Sequence, residues 1–142
     1  MTPFKITYRE GLPTPAAYQK LFNTTGWNQT YRVSADELFE AISSSWLVLS
    51  AYDHDDLVGF GRVLSDGVLY ALICDLIVLP SYQEQGIGSR LLKKLIGRCH
   101  LEKIRVIWLF SAKGKRSFYE KFGFIQRPVD APGMQLLKTP DS

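Results

Sequence analysis

Val68 to Leu79 is the longest apolar stretch in the chain, and a single carboxylate, Asp75, interrupts it. A run that is apolar on both faces suits a strand covered on both sides, near the middle of a sheet. Pro80-Ser81-Tyr82-Gln83-Glu84-Gln85 follows at once, then two glycines, Gly86 and Gly88, and then an amphipathic segment to about His100. In that segment Ile87, Leu91, Leu92, Leu95 and Ile96 share one helical face, while Arg90, Lys93 and Lys94 take the other. A further apolar run, Lys103 to Phe110, returns to the sheet. Strand, helix and strand in that order predict a right-handed parallel crossover at the centre of the fold.

The flanks fill in the rest. Phe4 to Tyr8 alternates as a first strand. Pro15 to Asn23 reads as a helix with proline where its missing amide is tolerated. Ser34 and Glu37 form a capping-box pattern ahead of Leu38, Phe39 and Ile42. Trp46 to Tyr52 and Leu57 to Leu64 are expected as a hairpin, and Ser65-Asp66-Gly67 as the next turn. Lys115 to Phe122 is expected as a short helix closed by Gly123. Phe124 to Arg127 and Met134 to Lys138 are expected as two last strands. The expected order is β-α-α-β-β-β-α-β-α-β-β, an α/β (α+β mixed sheet) fold with helices on its faces.

Composition narrows the function. At 142 residues one domain is expected, since single domains mostly run ~100–150 residues. A net charge of +3 permits an anionic ligand; a nucleic-acid surface would need a denser basic stripe. Cys74 and Cys99 are too few for a disulfide framework and read as small apolar residues in a reducing compartment. His54 and His100 lie in unrelated segments and no metal-ligand spacing occurs, so no metal is expected. The start of the chain lacks the apolar core of a signal peptide, and no run approaches the ~20 residues of a membrane helix. The expectation is a cytoplasmic protein with no nucleic-acid and no membrane partner.

The glycine loop carries the chemistry. Free amides at a helix start, with the helix dipole, favour an anion. The dinucleotide pattern G-x-G-x-x-G fails because Leu91 stands where the third glycine belongs. The P-loop fails for want of Gly-Lys-Ser/Thr. Gln83, Gly86 and Gly88 satisfy Q/R-x-x-G-x-G/A, after a strand that ends Val78-Leu79-Pro80.

With that loop in its strand–helix setting, the chain resembles the GNAT superfamily of acetyl-CoA-dependent N-acetyltransferases, most sharply over Asp75–Leu92 and Phe110–Phe124. The resemblance implies a single N-acetyltransferase domain over residues 1–142, and acetyl-CoA as co-substrate. It implies that Gln83, Glu84, Gln85, Gly86, Ile87, Gly88 and Ser89 wrap a pyrophosphate. It also implies that Ile77 and Val78 offer main-chain hydrogen bonds to the pantetheine arm where the central strand splays from its neighbour. Ser117-Phe118-Tyr119-Glu120-Lys121-Phe122-Gly123-Phe124 is similar to the family's F-Y-x-x-x-G-F signature. Tyr119 then takes the place of the general acid that protonates the leaving thiolate. Ala112 departs from the family's frequent asparagine at that position; Lys113, Lys115 and Arg116 stand nearby, and Lys113 is a candidate for the coenzyme's phosphates.

Removing a proton from an alkylammonium of pKa ~10.4 takes roughly 4–5 kcal/mol at pH 7. Asp75 is the candidate base; the alternatives are a structural carboxylate paired with an arginine or a backbone amide, or one that faces a cationic substrate. Simple alternation puts Asp75 and Cys74 on opposite faces, and a bulge would change Asp75's side. Cys74 as nucleophile lacks a histidine to activate it. Trp27, Tyr31 and Phe60, with Arg62 and the Pro128–Met134 loop, are expected to wall the acceptor; core or interface packing is the alternative for Trp27. The stretch Asp75–Gln83 with Gly133-Met134 also resembles small arylalkylamine-type acetyltransferases. The reading is an N-acetyltransferase acting on a small-molecule or protein primary amine by direct attack, with a homodimer possible by analogy. The alternative is a catalytically silent acyl-CoA-binding sensor or interaction module.

Overall fold

The computed structural model describes residues 5–137. They fall into two compact units, one through Phe110 and one from Ser111.

The first unit is a sheet with helices. In chain order it holds β1 (Ile6–Glu10), α1 (Pro15–Asn23), α2 (Asn28–Tyr31), α3 (Ala35–Ser43), β2 (Leu47–Asp53), β3 (Asp56–Ser65), β4 (Tyr70–Val78), a single 3-10 turn (Pro80–Tyr82), α4 (Ile87–Leu101) and β5 (Val106–Leu109). The sheet order is β1-β2-β3-β4-β5. The first four strands pair antiparallel; β4 and β5 pair parallel through α4. The expected mixed sheet is present, with its parallel crossover at the β4–β5 end of the described strands rather than at the centre.

Local chemistry sets the boundaries. Thr14 Oγ1 accepts from the Ala17 amide and Pro15 opens α1. Ser34 and Glu37 make the predicted capping box reciprocally, at 3.1 and 3.0 Å. Strand β4 begins at Tyr70 rather than Val68 because Asp66 Oδ1 takes the amides of Val68, Leu69 and Tyr70. Those amides hold the Asp66 carboxyl below its ordinary range. Strand β5 begins at Val106 rather than Lys103 because the chain is still closing α4. Lys103 and Ile104 donate back to His100 and Cys99 carbonyls, with Lys103 at φ 59°. The loop expected between the first two helices contains α2, a single turn ended by Arg32 at φ 54°.

Helices cover both faces. Tyr18, Leu21, Phe22, Leu38 and Ile42 of α1 and α3 pack with Val48, Leu57, Phe60 and Ile77 of the sheet. Against the other face, α4 buries Ile87, Leu91, Leu92, Leu95 and Cys99. It comes close to Gly59 and Gly61: a Cβ at Gly59 would lie 3.1 Å from Ile87 and Leu91, and one at Gly61 would lie 2.8 Å from Leu95.

The second unit holds α5 (Arg116–Glu120) and a cluster of rings, Phe118–Tyr119, Phe118–Phe122 and Tyr119–Phe124, with centroids 5.1, 5.4 and 6.2 Å apart. The two strands expected at Phe124–Arg127 and Met134–Lys138 do not form among the described residues. Pro128 and Pro132 each lack a ladder donor, and Ile125, Leu136 and Leu137 are exposed. Lys138 and Phe4 lie outside the described residues.

Candidate active site

The parallel ladder of β4 and β5 ends at the pair Ile73–Leu109. Beyond it, β4 continues to Val78 with β3 alone as its partner among the described residues of this unit. Leu79 donates to the Val58 carbonyl at 2.9 Å and so faces β3. Alternation then turns the Val78 amide and carbonyl to the open edge and the Ile77 main chain to β3. The Ile77 side chain is buried in the α1–α3 core. Of the two residues expected to offer main-chain hydrogen bonds, Val78 is therefore the one whose amide faces the opening.

Asp75 sits where the ladder ends. Phe60 to Arg62 spans two steps on β3, while their partners Ile77 and Cys74 are three steps apart on β4. The extra residue is a bulge, and Asp75 carries it with a left-handed backbone, φ 52°. The bulge gives Asp75 its side: Arg62 Nε donates to Asp75 Oδ2 at 2.7 Å, and the Tyr18 hydroxyl reaches the same oxygen at 3.5 Å. Both members of the ion pair are mostly buried, 14% and 20% exposed. Charge-assisted bonds of this length are among the stronger ones, and stranding one partner costs on the order of 3 kcal/mol. Burial, and then the Asp75 charge, push the Tyr18 phenol far up, so it stays a donor.

The strand runs out into the glycine loop. Gln83 Nε2 donates to the Val78 carbonyl at 3.0 Å. Tyr82 donates to Asp53 Oδ2 at 2.6 Å. Glu84 and Gly86 are both left-handed, at φ 63° and 84°. Gly86 caps α4 without a side-chain hydrogen bond, and among the described residues no side chain accepts from the first amides of this long helix. They make a positive, donor-rich end suited to an anion. Gln83, Glu84, Gln85 and Gly86 are exposed, Gly88 and Ser89 half-buried, and the Ile87 side chain is in the core. Arg90 and Lys94 lean over the Tyr8 ring at 5.7 and 5.6 Å.

The expected wall residues are placed differently from one another. Trp27 is half-buried, edge-on to Phe22 at 5.7 Å. Tyr31 is 63% exposed, 6.4 Å from the same ring. Phe60 is fully buried against Tyr18, centroids 4.5 Å apart, a layer behind any surface. Cys74 is half-buried, and burial raises its thiol.

The open edge of β4, the Asp75 bulge and the glycine-opened start of α4 all lie in the first unit. The model of the acetyltransferase (GNAT) domain matches residues 16–133. The chain belongs to the GNAT acetyltransferase family. It is 32% identical over 120 residues to the uncharacterized N-acetyltransferase ycf52 of Gracilaria tenuistipitata, covering 82% of this chain and 64% of that protein. It is 35% identical over 81 residues to the chloroplastic GCN5-related N-acetyltransferase 1 of Arabidopsis thaliana, covering 57% of this chain and 41% of that protein. It superimposes on a solved GNAT-family acetyltransferase of Streptococcus pneumoniae at 32% identity and a TM-score of 0.78, covering 94% of this chain and 98% of that one.

Within this GNAT chain the first unit brings together Asp75, Val78, the Gln83–Ser89 loop and, behind Tyr18, Phe60. Tyr119 and Lys113 belong to the second unit. Tyr119 is half-buried in its ring cluster, and burial raises its phenol. Lys113 is exposed. Sequence reasoning missed Tyr18 and the Tyr82–Asp53 tie. It foresaw an arginine as a possible partner of Asp75 but did not choose Arg62. The available signal was one arginine and one aspartate, each alone in an apolar strand of the same hairpin.

No helix among the described residues is long and apolar enough to cross a membrane. No group of three His, Cys, Asp or Glu that could hold a metal ion occurs among them.

Proposed function

We propose that this chain is an acetyl-CoA-dependent N-acetyltransferase that acetylates a primary amine by direct attack. The observation that carries the reading is the open β4 edge running into the Gly86-capped helix. A main-chain donor at Val78 suits an amide-bearing arm, and uncapped amides at Ile87, Gly88 and Ser89 suit a pyrophosphate. Gln83, Glu84 and Gln85 complete the loop, and Lys113 adds a charge for a phosphate. The family match spans both units, which supports one N-acetyltransferase domain.

Bound acetyl-CoA supplies the acyl thioester. The Val78 amide polarises the carbonyl under attack. Asp75 accepts the amine's proton and Tyr119 returns one to the sulfur as it leaves. The protonated phenol that burial favours at Tyr119 is the form an acid needs. Trp27 and Tyr31 offer rings to the body of the acceptor, which suits a cationic or aromatic amine; Phe60 backs Tyr18. The two free cysteines suit a reducing compartment, the cytoplasm or the chloroplast for which the Arabidopsis relative is named.

The test is Asp75→Asn against wild type across pH. A lost base is felt most where little free amine exists, so the rate should fall further at pH 6 than at pH 9. An equal loss at both would remove the base role.

A further inference from the structure

Aspartate enters the left-handed region more readily than most non-glycine residues, but on a strand bulge its side chain still takes its direction from its neighbours. At Asp75 the neighbour is Arg62, and Arg62 does more than pair with it. While Nε donates to Asp75 Oδ2 at 2.7 Å, Nη1 donates to the Ala41 carbonyl and to Ser45 Oγ, each at 3.3 Å. Ala41 lies in the last turn of α3, and Ser45 just beyond it. One guanidinium therefore joins β3, the β4 bulge and the end of α3. Tyr18 adds a brace from α1. All these donors fall on Oδ2; among the described residues none donates to Oδ1.

We propose that Arg62 is a positioning residue for the acceptor. It holds the Asp75 carboxylate by one oxygen and leaves Oδ1 as the atom available to the amine nitrogen. Arg62 then governs acceptor capture and proton removal without touching either substrate. The inference rests on the acetyl-transfer reading above. A planar fork is required because the three acceptors lie on different elements, and a lysine reaches one of them at a time.

The experiment compares Arg62→Gln, Arg62→Lys, Asp75→Asn and the Arg62→Gln/Asp75→Asn double variant. Acceptor kinetics are run at saturating acetyl-CoA, beside an acetyl-CoA titration. Arg62→Gln should raise the acceptor KM and lower kcat/KM on the order of 100-fold, as expected for a reacting group displaced by roughly 1 Å. Acetyl-CoA affinity should hold. Arg62→Lys should fall between Arg62→Gln and wild type. The double variant should lose no more than Asp75→Asn alone, because nothing remains to be positioned. If Arg62 only supports the fold, Arg62→Gln lowers the melting temperature but leaves kcat/KM per folded molecule unchanged, and the proposal is overturned.

A second readout does not depend on turnover. In aspartate-labelled protein the Asp75 carboxyl carbon resonance, assigned by its loss in Asp75→Asn, should move in Arg62→Gln at fixed pH. An unmoved resonance overturns the clamp. A wild type that transfers no acetyl group overturns the acetyl-transfer reading instead, and the clamp is then decided by this resonance.

Discussion

The Tyr82 hydroxyl donates to Asp53 Oδ2 at 2.6 Å, tying the turn before the glycine loop to the tip of the β2–β3 hairpin. The bond holds the Asp53 carboxyl below its ordinary range, with His54 adding to it, and raises the Tyr82 phenol. Tyr82→Phe removes that bond from the loop. Acetyl-CoA affinity measured by calorimetry should weaken by about tenfold, the scale of one part-buried hydrogen bond to a charge, with kcat little changed. An unchanged affinity would show that the loop keeps its shape without the tie.

Gly86 combines a left-handed backbone with open space. A Cβ there meets nothing within 4 Å, and φ is 84°. Gly86→Ala therefore carries a backbone penalty of about 1–2 kcal/mol and no clash. Gly86→Asp adds a negative charge at the end of α4. Aspartate tolerates the left-handed region better than most residues and α4 is fifteen residues long, so the helix should persist by circular dichroism. Acetyl-CoA binding should be weakened in Gly86→Ala and undetectable in Gly86→Asp. Equal affinities in the two would mean that no anion sits at this helix end.

Burial raises the Tyr119 phenol above its ordinary value. A phenol is an acid only while protonated, so the shift extends its working range upward. Any alkaline loss of the wild-type rate from this group should set in at a higher pH than it would for a solvent-exposed phenol. Tyr119→Phe should lower kcat at least about tenfold, within the range of a lost general acid, at unchanged acetyl-CoA affinity. Full turnover in the variant would leave Tyr119 with its ring contacts to Phe118 and Phe124 alone.

Two glycines predict opposite changes in stability. Gly61→Ala places a Cβ 2.8 Å from Leu95 Cδ1 and 3.2 Å from Leu76 Cδ1. Leu95 is fully buried, so moving its methyl aside disturbs the packing around it, and the variant should lose roughly 1–3 kcal/mol in urea unfolding. Gly97 lies within α4 with nothing near its Cβ position. Gly97→Ala should gain about 0.5–1 kcal/mol.

The features legible in the sequence were those written in adjacent residues. Pro15, the Ser34–Glu37 box and the alternation of α4's faces each announce themselves locally, and so does the loop at Gly86. The Asp75 bulge does not. Aspartate tolerates φ 52° but does not by itself announce a bulge in an apolar strand, and its partner Arg62 lies thirteen residues away across the hairpin. The start of β4 was hidden for a similar reason. Val68 and Leu69 look like strand, but Asp66 competes for their amides and wins. At the far end, Ile125, Leu136 and Leu137 have the composition of strands, yet they are exposed and unladdered. Apolar alternation specifies a strand only where a partner edge and a core face are both supplied.

The most direct test of the account is acetyl-CoA thiol release measured against a panel of arylalkylamines, polyamines, amino acids and aminoglycosides, with Gly86→Asp as the control. The account predicts thiol release that depends on at least one amine, matched by acetylated product, and absent in the control. Acetyl-CoA binding by the wild type with no amine-dependent release anywhere in the panel would contradict it.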